Sequence, residues 1–392
     1  PFQAEDGIRD DISCLVGSEM CIRDSRYSRK HVVIYHRVSL STEEVTLHSM
    51  TSSPCDITLY LPGLLGPQSV YPQLTHADKP DLKFLEGLLS RADRKAGPGT
   101  DWLAGLFTLF DLSADETACP VAAVTAAYDG LDASKGWWLR ADPVYLQPDR
   151  SQAVLVASDA LQLQADECEG LLQTLNQHFA EDGWQFTAPH PQRWYLRLDN
   201  AESITTTPLH EVMGQSVHEH LPSGEKQRDW HTRLNELQML LHNHEVNDKR
   251  VAAGKMPVNS VWFWGEGTMP KVNATPWDRV FSDNDVVRAL AQLSKVECSS
   301  LVDFDANTLQ GRNLVVMADC YATVQSRDVF RWLECLKSVQ TQYLLPLQAG
   351  LKRGTINSMK LLPVNGHAYQ LSRKQLRRWW QRRRSLETFL TP

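Results

Sequence analysis

The chain of 392 residues is short of several signatures that would have settled its class at once. No stretch approaches the ~18 uninterrupted apolar residues of a membrane-spanning helix, and the first residues lack the basic, apolar, small-residue order of a secretory leader. The expected location is therefore cytoplasmic, with no membrane span. The eight cysteines are scattered, with no CxxC pair and no regular spacing. That excludes a disulfide scaffold or a zinc framework and predicts reduced, mostly structural thiols. There is no HExxH, P-loop, GxGxxG or GxSxG, no internal repeat and no low-complexity tract.

What is present is the usage of a folded globular protein, 42% hydrophobic and 22% charged with a net charge of −7. The segment 4–25 has no apolar period of 2 or 3.6 and resembles a translated sequencing adapter, so residues 1–49 are set aside as a non-native or disordered leader ahead of Met50. Near the other end, Arg373, Lys374, Arg377, Arg378, Arg382, Arg383 and Arg384 concentrate positive charge and leave the rest of the chain strongly acidic. Ser372 and Gln375 form a capping-box pattern. With Leu376, Trp379, Trp380, Leu386, Phe389 and Leu390 they predict an amphipathic basic helix whose aromatic face docks on its own domain. Such a helix is also the means by which an adaptor would bind nucleic acid or a membrane surface, although nucleic acid is not the expected partner.

The run Asp56–Leu61 reads as a buried strand stopped by Pro62-Gly63. Helices are predicted at 81–92 and 101–110, and a short strand at 120–127. A middle stretch follows with strands at 137–146, 153–157 and 193–198 around a helix at 166–180. A long helix is predicted over 225–250, its apolar face carrying Trp230, Leu234, Leu237, Leu241 and His244. Beyond it, strands at 258–265, 313–318 and 356–362 alternate with helices at 282–293 and 327–350. The alternation predicts a parallel α/β core with an α+β unit inserted.

Several motifs in order give this reading a family. They are Gly136-Trp-Trp-Leu-Arg140-Ala-Asp142, Arg193-Trp-Tyr-Leu-Arg197, Pro208-Leu-His210-Glu211, His244-Glu-Val-Asn247 with Arg250 and Gly254, and Asn259-Ser-Val-Trp262-Phe-Trp264-Gly-Glu-Gly267. The stretch carrying them resembles archaeal-type cofactor-independent phosphoglycerate mutases, and more closely the bacterial regulatory proteins of the RpfE type. The resemblance implies an alkaline-phosphatase-like, mostly parallel core sheet with helices on both faces (50–135 and 255–392) and an inserted smaller α+β domain (136–254). It also implies a basic grip on a phosphorylated acid, to which Arg140 and Arg193 are suited because a guanidinium fork matches phosphate and carboxylate. The alternative is that these arginines pair with Asp142, Asp199 or Glu211. His210, Asn247, Arg250, Asn259 and Trp264 complete the candidate ligand-binding set, Asn259 and Trp264 either shaping the cleft or packing at the domain joint.

In the mutases of this type two metals and a Ser or Thr nucleophile carry the chemistry, and here that half of the resemblance fails. Pro62-Gly63 stands where a metal-binding Asp is expected, Asp319 is the single survivor of a His/Asp-rich segment, and Leu362-Pro363-Val364-Asn365 replaces a late Asp-His. Thr100 is the candidate catalytic nucleophile, with the competing role of N-cap for the helix at 101–110. The sequence thus predicts a divergent mutase-like pseudoenzyme that binds a phosphorylated small acid or a protein partner, with no metal site and no cofactor. The alternative is an active mutase or phosphatase using Mn, Zn or Mg, with ligands drawn from Asp129, His210, Asp303, Asp305 and Asp319.

Overall fold

The computed structural model describes residues 55–66, 81–112, 119–149, 152–156, 158–213 and 215–390; the predicted leader and Met50 lie outside them. In chain order the strands are β1 (Asp56–Tyr60), β2 (Asp93–Ala96), β3 (Trp137–Asp149), β4 (Gln152–Val156), β5 (Gln185–His190), β6 (Arg193–Leu198), β7 (Ser260–Gly267), β8 (Arg279–Phe281), β9 (Cys298–Ser299), β10 (Arg312–Val316), β11 (Ser358–Leu362) and β12 (His367–Ser372). The α-helices are α1 (Lys83–Arg91), α2 (Trp102–Leu109), α3 (Val121–Tyr128), α4 (Ser158–Leu161), α5 (Ala165–His178), α6 (Leu209–Val212), α7 (Gln227–His242), α8 (Glu245–Ala252), α9 (Asp285–Leu293), α10 (Asp319–Gln325), α11 (Val329–Val339), α12 (Leu345–Arg353) and α13 (Arg373–Leu376).

Seven strands form the main sheet in the order β2-β12-β11-β1-β10-β8-β9. Pairing is parallel from β11 through β1, β10 and β8 to β9, and antiparallel at the β11–β12–β2 edge. The fold is therefore mixed α/β with a mostly parallel central sheet. Alternate side chains of one strand go to opposite faces. Ile57, Leu59, Val315, Met317, Met359 and Leu361 pack against α1, α11 and α12, whereas Tyr60, Leu314, Val316 and Leu362 pack against α2, α3 and α9. Both faces are covered by helices, which is why these strands read as continuous apolar runs.

The second sheet is antiparallel, in the order β4-β3-β6-β5, with β7 added along the other side of β3. One face is packed by α5 and α7 through Trp184, Trp194, Trp230, Leu171, Leu175 and Leu237. Trp262, Trp264 and Val144 belong instead to the cluster that contains Tyr60, Trp102 and Leu290. The interior beneath the main sheet thus continues into the second one.

Three expectations fail for identifiable reasons. The segment expected as a strand at 120–127 is helix α3, buried on every side from Val121 to Ala126. A helix buried all round has no amphipathic period to betray it, and its alanines favour helix over strand. The long helix at 225–250 is two helices, because the His244 imidazole leaves the apolar stripe to cap α8, accepting from Val246 N–H at 3.2 Å. The amphipathic basic helix does not form. The Ser372/Gln375 capping box is present, but α13 stops at Leu376 because Gln375 and Arg378 turn to Asp93 (2.5 and 2.6 Å) and Leu386 N–H to Glu86 (3.0 Å). Leu386, Phe389 and Leu390 are buried, yet Trp379 and Trp380 stand in solvent rather than docking. The predicted helix at 327–350 is α11 and α12 joined by a π-helical turn at Gln340–Leu344. The six described cysteines, 55, 119, 168, 298, 320 and 335, are free.

Candidate functional site

In open α/β sheets ligands bind outside the carboxyl ends of the parallel strands, and a cavity of about 490 Å³ lies there. The turns after β1 (Gly63, Leu65, Gly66) and β11 (Pro363, Val364, Asn365) form its walls with α10 (Tyr321, Val324, Gln325) and Arg327 just beyond it. Thr100 and Gln215 close it from other parts of the chain. Gly63 has φ +78°, and a Cβ there would stand 2.7 Å from the Cys320 carbonyl carbon, so only glycine lets this turn lie against α10. The lining includes one full charge, the exposed guanidinium of Arg327, together with the Thr100 hydroxyl, the Tyr321 phenol and three carboxamides. Among the described residues it includes no carboxylate, imidazole or thiol. Such a set can hydrogen-bond an anion; it holds no group able to take a proton from one.

Behind Tyr321 lies an aromatic block. The His210 ring stands 5.4 Å from Tyr321, 5.2 Å from Trp102 and 6.2 Å from Trp264, and accepts the Trp102 indole N–H at Nε2, 2.6 Å away. Burial drives the His210 pKa down to about 4, against the upward pull of Asp101. At neutral pH the ring is uncharged, so its 3.9 Å approach to Glu211 is no ion pair. With Nε2 occupied by Trp102, it is not a free base either. Burial also pushes the Tyr321 phenol up to about 12, which leaves it a donor.

One layer deeper, Arg140 sends Nε (3.1 Å) and Nη2 (2.7 Å) to Oδ1 of Asp142, while Oδ2 takes the Trp264 indole N–H at 2.7 Å. The guanidinium lies between the rings of Trp264 (5.1 Å) and Tyr195 (5.5 Å). Burial pushes the Asp142 carboxyl up, opposed first by the Arg140 charge. This is the pairing with Asp142 that the sequence left open, and it leaves Arg140 no fork for a ligand. Arg193 finds partners the sequence did not offer. Its Nε and Nη2 grip both oxygens of Asp129 at 2.6 and 2.5 Å, and Nη1 meets Asp285. Asp199 pairs with Arg197 instead, at 3.3 Å.

The remaining candidates act as braces. Asn247 bonds Val258 in both directions (2.7 and 2.8 Å) and Leu241 O (2.6 Å), joining the end of α7 to the approach to β7. The fully buried Arg250 donates to Met256 O (2.9 Å), Leu161 O (2.6 Å) and Glu167 (2.5 Å). Asn259 supplies the equivalent of a strand rung to Leu146, at 2.7 and 3.0 Å. Thr100 lines the cavity, but the cap of α2 is its neighbour: Asp101 Oδ1 accepts from Leu103 N–H (2.8 Å) and Ala104 N–H (3.0 Å). Of the candidate catalytic and ligand-binding residues, Thr100 alone lines this cavity, while the turns singled out for lacking metal-binding side chains supply Gly63, Pro363, Val364 and Asn365 to it. Arg327 and Gln215 carried no signal, because nothing local marks residues that meet only when distant strand ends converge.

The donor set does not fit a two-metal centre. Among the described residues no three of His, Cys, Asp and Glu stand together as a metal would require. Asp319 lines a separate cavity of about 660 Å³ with Asp283, Cys320 and Cys335. Asp129 is taken by Arg193 and Tyr195, and Asp305 folds back on Asn307 at 2.9 Å.

A protein with a mostly parallel α/β sheet and an anion-suited crevice at its strand ends is the class that fold and cavity define. A family model for 2,3-bisphosphoglycerate-independent phosphoglycerate mutase matches residues 124–247, from within α3 to α8. A probable mutase of that name from Geobacter sulfurreducens is 31% identical over 134 residues, 34% of each chain. A second, from Methanothermobacter thermautotrophicus, is 34% identical over 124 residues, 30% of each chain. This chain thus spans about a third of the length of the curated relatives it matches. These matches support a cofactor-independent phosphoglycerate-mutase-like family. A solved cofactor-independent phosphoglycerate mutase from Thermoplasma acidophilum aligns at TM-score 0.40 and 14% identity, covering 86% of this chain and 94% of that one. Arg140, Arg193, His210 and Asn247 fall in the matched stretch; most of the cavity lining falls outside it.

Proposed function

We propose that this chain is a divergent phosphoglycerate-mutase-like protein of the RpfE-type regulatory group, a cytoplasmic bacterial binder of a phosphorylated small acid, with residues 136–254 as its inserted domain. The observation that carries the reading is the composition of the crevice: among the described residues its lining holds one exposed guanidinium with neutral donors and no carboxylate. In this reading the anion is gripped by Arg327, with Thr100, Gln215 and Gln325 as neutral donors. Arg140 and Arg193 shape the second sheet through Asp142 and Asp129. No proton transfer is required, in keeping with a Thr100 that has no base at hand and a His210 already occupied.

Thermal melts of the protein with 3-phosphoglycerate and with inorganic phosphate test this, since a ligand bound only by the native state raises Tm. A rise that survives EDTA and is lost in Arg327→Gln supports a metal-free binder. No rise with either anion refutes it. The second reading, an active mutase, is favoured by the names of the relatives; stoichiometric metal in the purified protein together with an EDTA-sensitive rise would support it over the first.

A further inference from the structure

The segment Arg373–Arg384 is the densest run of positive charge in the chain, and the fold neutralises little of it. Arg378 reaches Asp93 at 2.6 Å and Arg91 O at 3.1 Å, and Arg383 reaches Glu86 at 3.3 Å. These pairs occupy the two carboxylates that face the segment from β2 and α1. The side chains of Arg373, Lys374, Arg377, Arg382 and Arg384 make no ion pair among the described residues. Between the anchored arginines stand Trp379, 84% exposed, and Trp380, 62% exposed, their rings edge-to-face at 6.1 Å and 85°.

This display is held in place. Gln375 is tied to Asp93, Arg384 N–H donates to Ser90 Oγ at 2.9 Å, and Leu386 N–H to Glu86 at 3.0 Å, after which Leu386, Phe389 and Leu390 enter the core. The chain is therefore fastened on both sides of the indoles. Two adjacent exposed tryptophans with their rings in contact mark a contact surface. Indole combines an apolar body with one N–H donor and settles at the headgroup level of a bilayer, while clustered Lys and Arg are drawn to anionic lipid. Single-stranded nucleic acid would also attract the charge, but perpendicular rings offer no pair of parallel platforms for consecutive bases.

We propose that Arg373–Arg384 is a docking loop for an anionic bilayer surface, the two indoles entering the headgroup layer and Arg377, Arg382 and Arg384 meeting lipid phosphates and carboxylates. The test is sedimentation of the full chain with phosphatidylcholine vesicles, with and without phosphatidylserine, at low and high salt. Binding is expected to the anionic vesicles alone and to fall with salt. Replacing Arg377, Arg382 and Arg384 together by Gln should weaken it about a hundredfold or more, and Trp379→Ser with Trp380→Ser roughly tenfold. Both variants should melt as the wild type does, because these side chains lie in solvent. The proposal is overturned if the protein stays in the supernatant with anionic vesicles, if neutral vesicles bind it equally, if the variants bind undiminished, or if an oligothymidine binds while the vesicles do not.

Discussion

Acidifying the protein from about pH 7 to about pH 4 should cost the native state roughly 3 kcal/mol through His210 alone. The imidazole has a pKa near 4 when folded, against 6.5 for an exposed histidine. In the interval between these values the unfolded chain binds a proton that the folded chain refuses. The His210 contribution is therefore fully present above about pH 6.5 and is lost as pH falls towards 4. A displacement of about 2.5 pK units at 1.36 kcal/mol each sets the limit near 3 kcal/mol. Protonation would also place a charge beside the aromatic rings of Trp102, Trp264 and Tyr321 and turn Nε2 into a second donor facing the Trp102 N–H. The comparison is with His210→Gln, whose amide oxygen can still accept that indole hydrogen. Urea unfolding of both proteins at several pH values gives the answer, the difference removing every carboxylate titration they share. The variant should be the less stable at pH 7 and should gain on the wild type by about 3 kcal/mol at pH 4. A difference independent of pH would refute the assignment of a buried, neutral His210.

Other perturbations have sharp outcomes. Asp142→Asn should destabilise by about 3–5 kcal/mol in denaturant melts, because it strands the buried Arg140 charge; the double change Arg140→Met with Asp142→Leu should cost distinctly less. Arg250→Ala should cost at least about 3 kcal/mol, leaving two carbonyls without their donor and Glu167 with only Gln164 N–H and Lys255, and Arg250→Lys should not restore it, since one ammonium cannot span all three. Gly63→Ala should lower Tm and abolish any anion-induced rise, as the new methyl drives the turn away from α10; an unchanged melt would show that the turn yields.

Legibility in the sequence followed the range of the forces involved. The strand Asp56–Tyr60 and its Pro62-Gly63 stop were readable because apolar content and turn chemistry are local, and so was the Ser372/Gln375 capping box. Helix α3 reads as a strand in the sequence because complete burial erases its periodicity. Helices α7 and α8 read as one in the sequence because His244 fits an apolar stripe and an N-cap equally well. The basic tail reads as a longer helix than it forms because it is turned aside by Asp93 and Glu86, nearly 300 residues earlier. Among site residues, Arg140 and Asp142 are two apart and their pairing was foreseeable, whereas Arg193 meets Asp129 and Asp285 across 64 and 92 residues.

The amino-acid sequence by itself determined the element types where periodicity is local, the alternation that builds a mostly parallel sheet, and the separation of a basic tail from an acidic body. Only the tertiary structure decided which charges are spent on one another and which stand at the crevice. Arg140 and Arg193 look identical to Arg327 as residues; strand β3 gives Arg140 its Asp142, helices α3 and α9 bring Asp129 and Asp285 to Arg193, and Arg327 stands at the crevice. Charge pairing depends on separations of a few ångströms, which chain distance does not encode, and so the anion-binding candidate could emerge only after strands β1, β10 and β11 had been laid side by side.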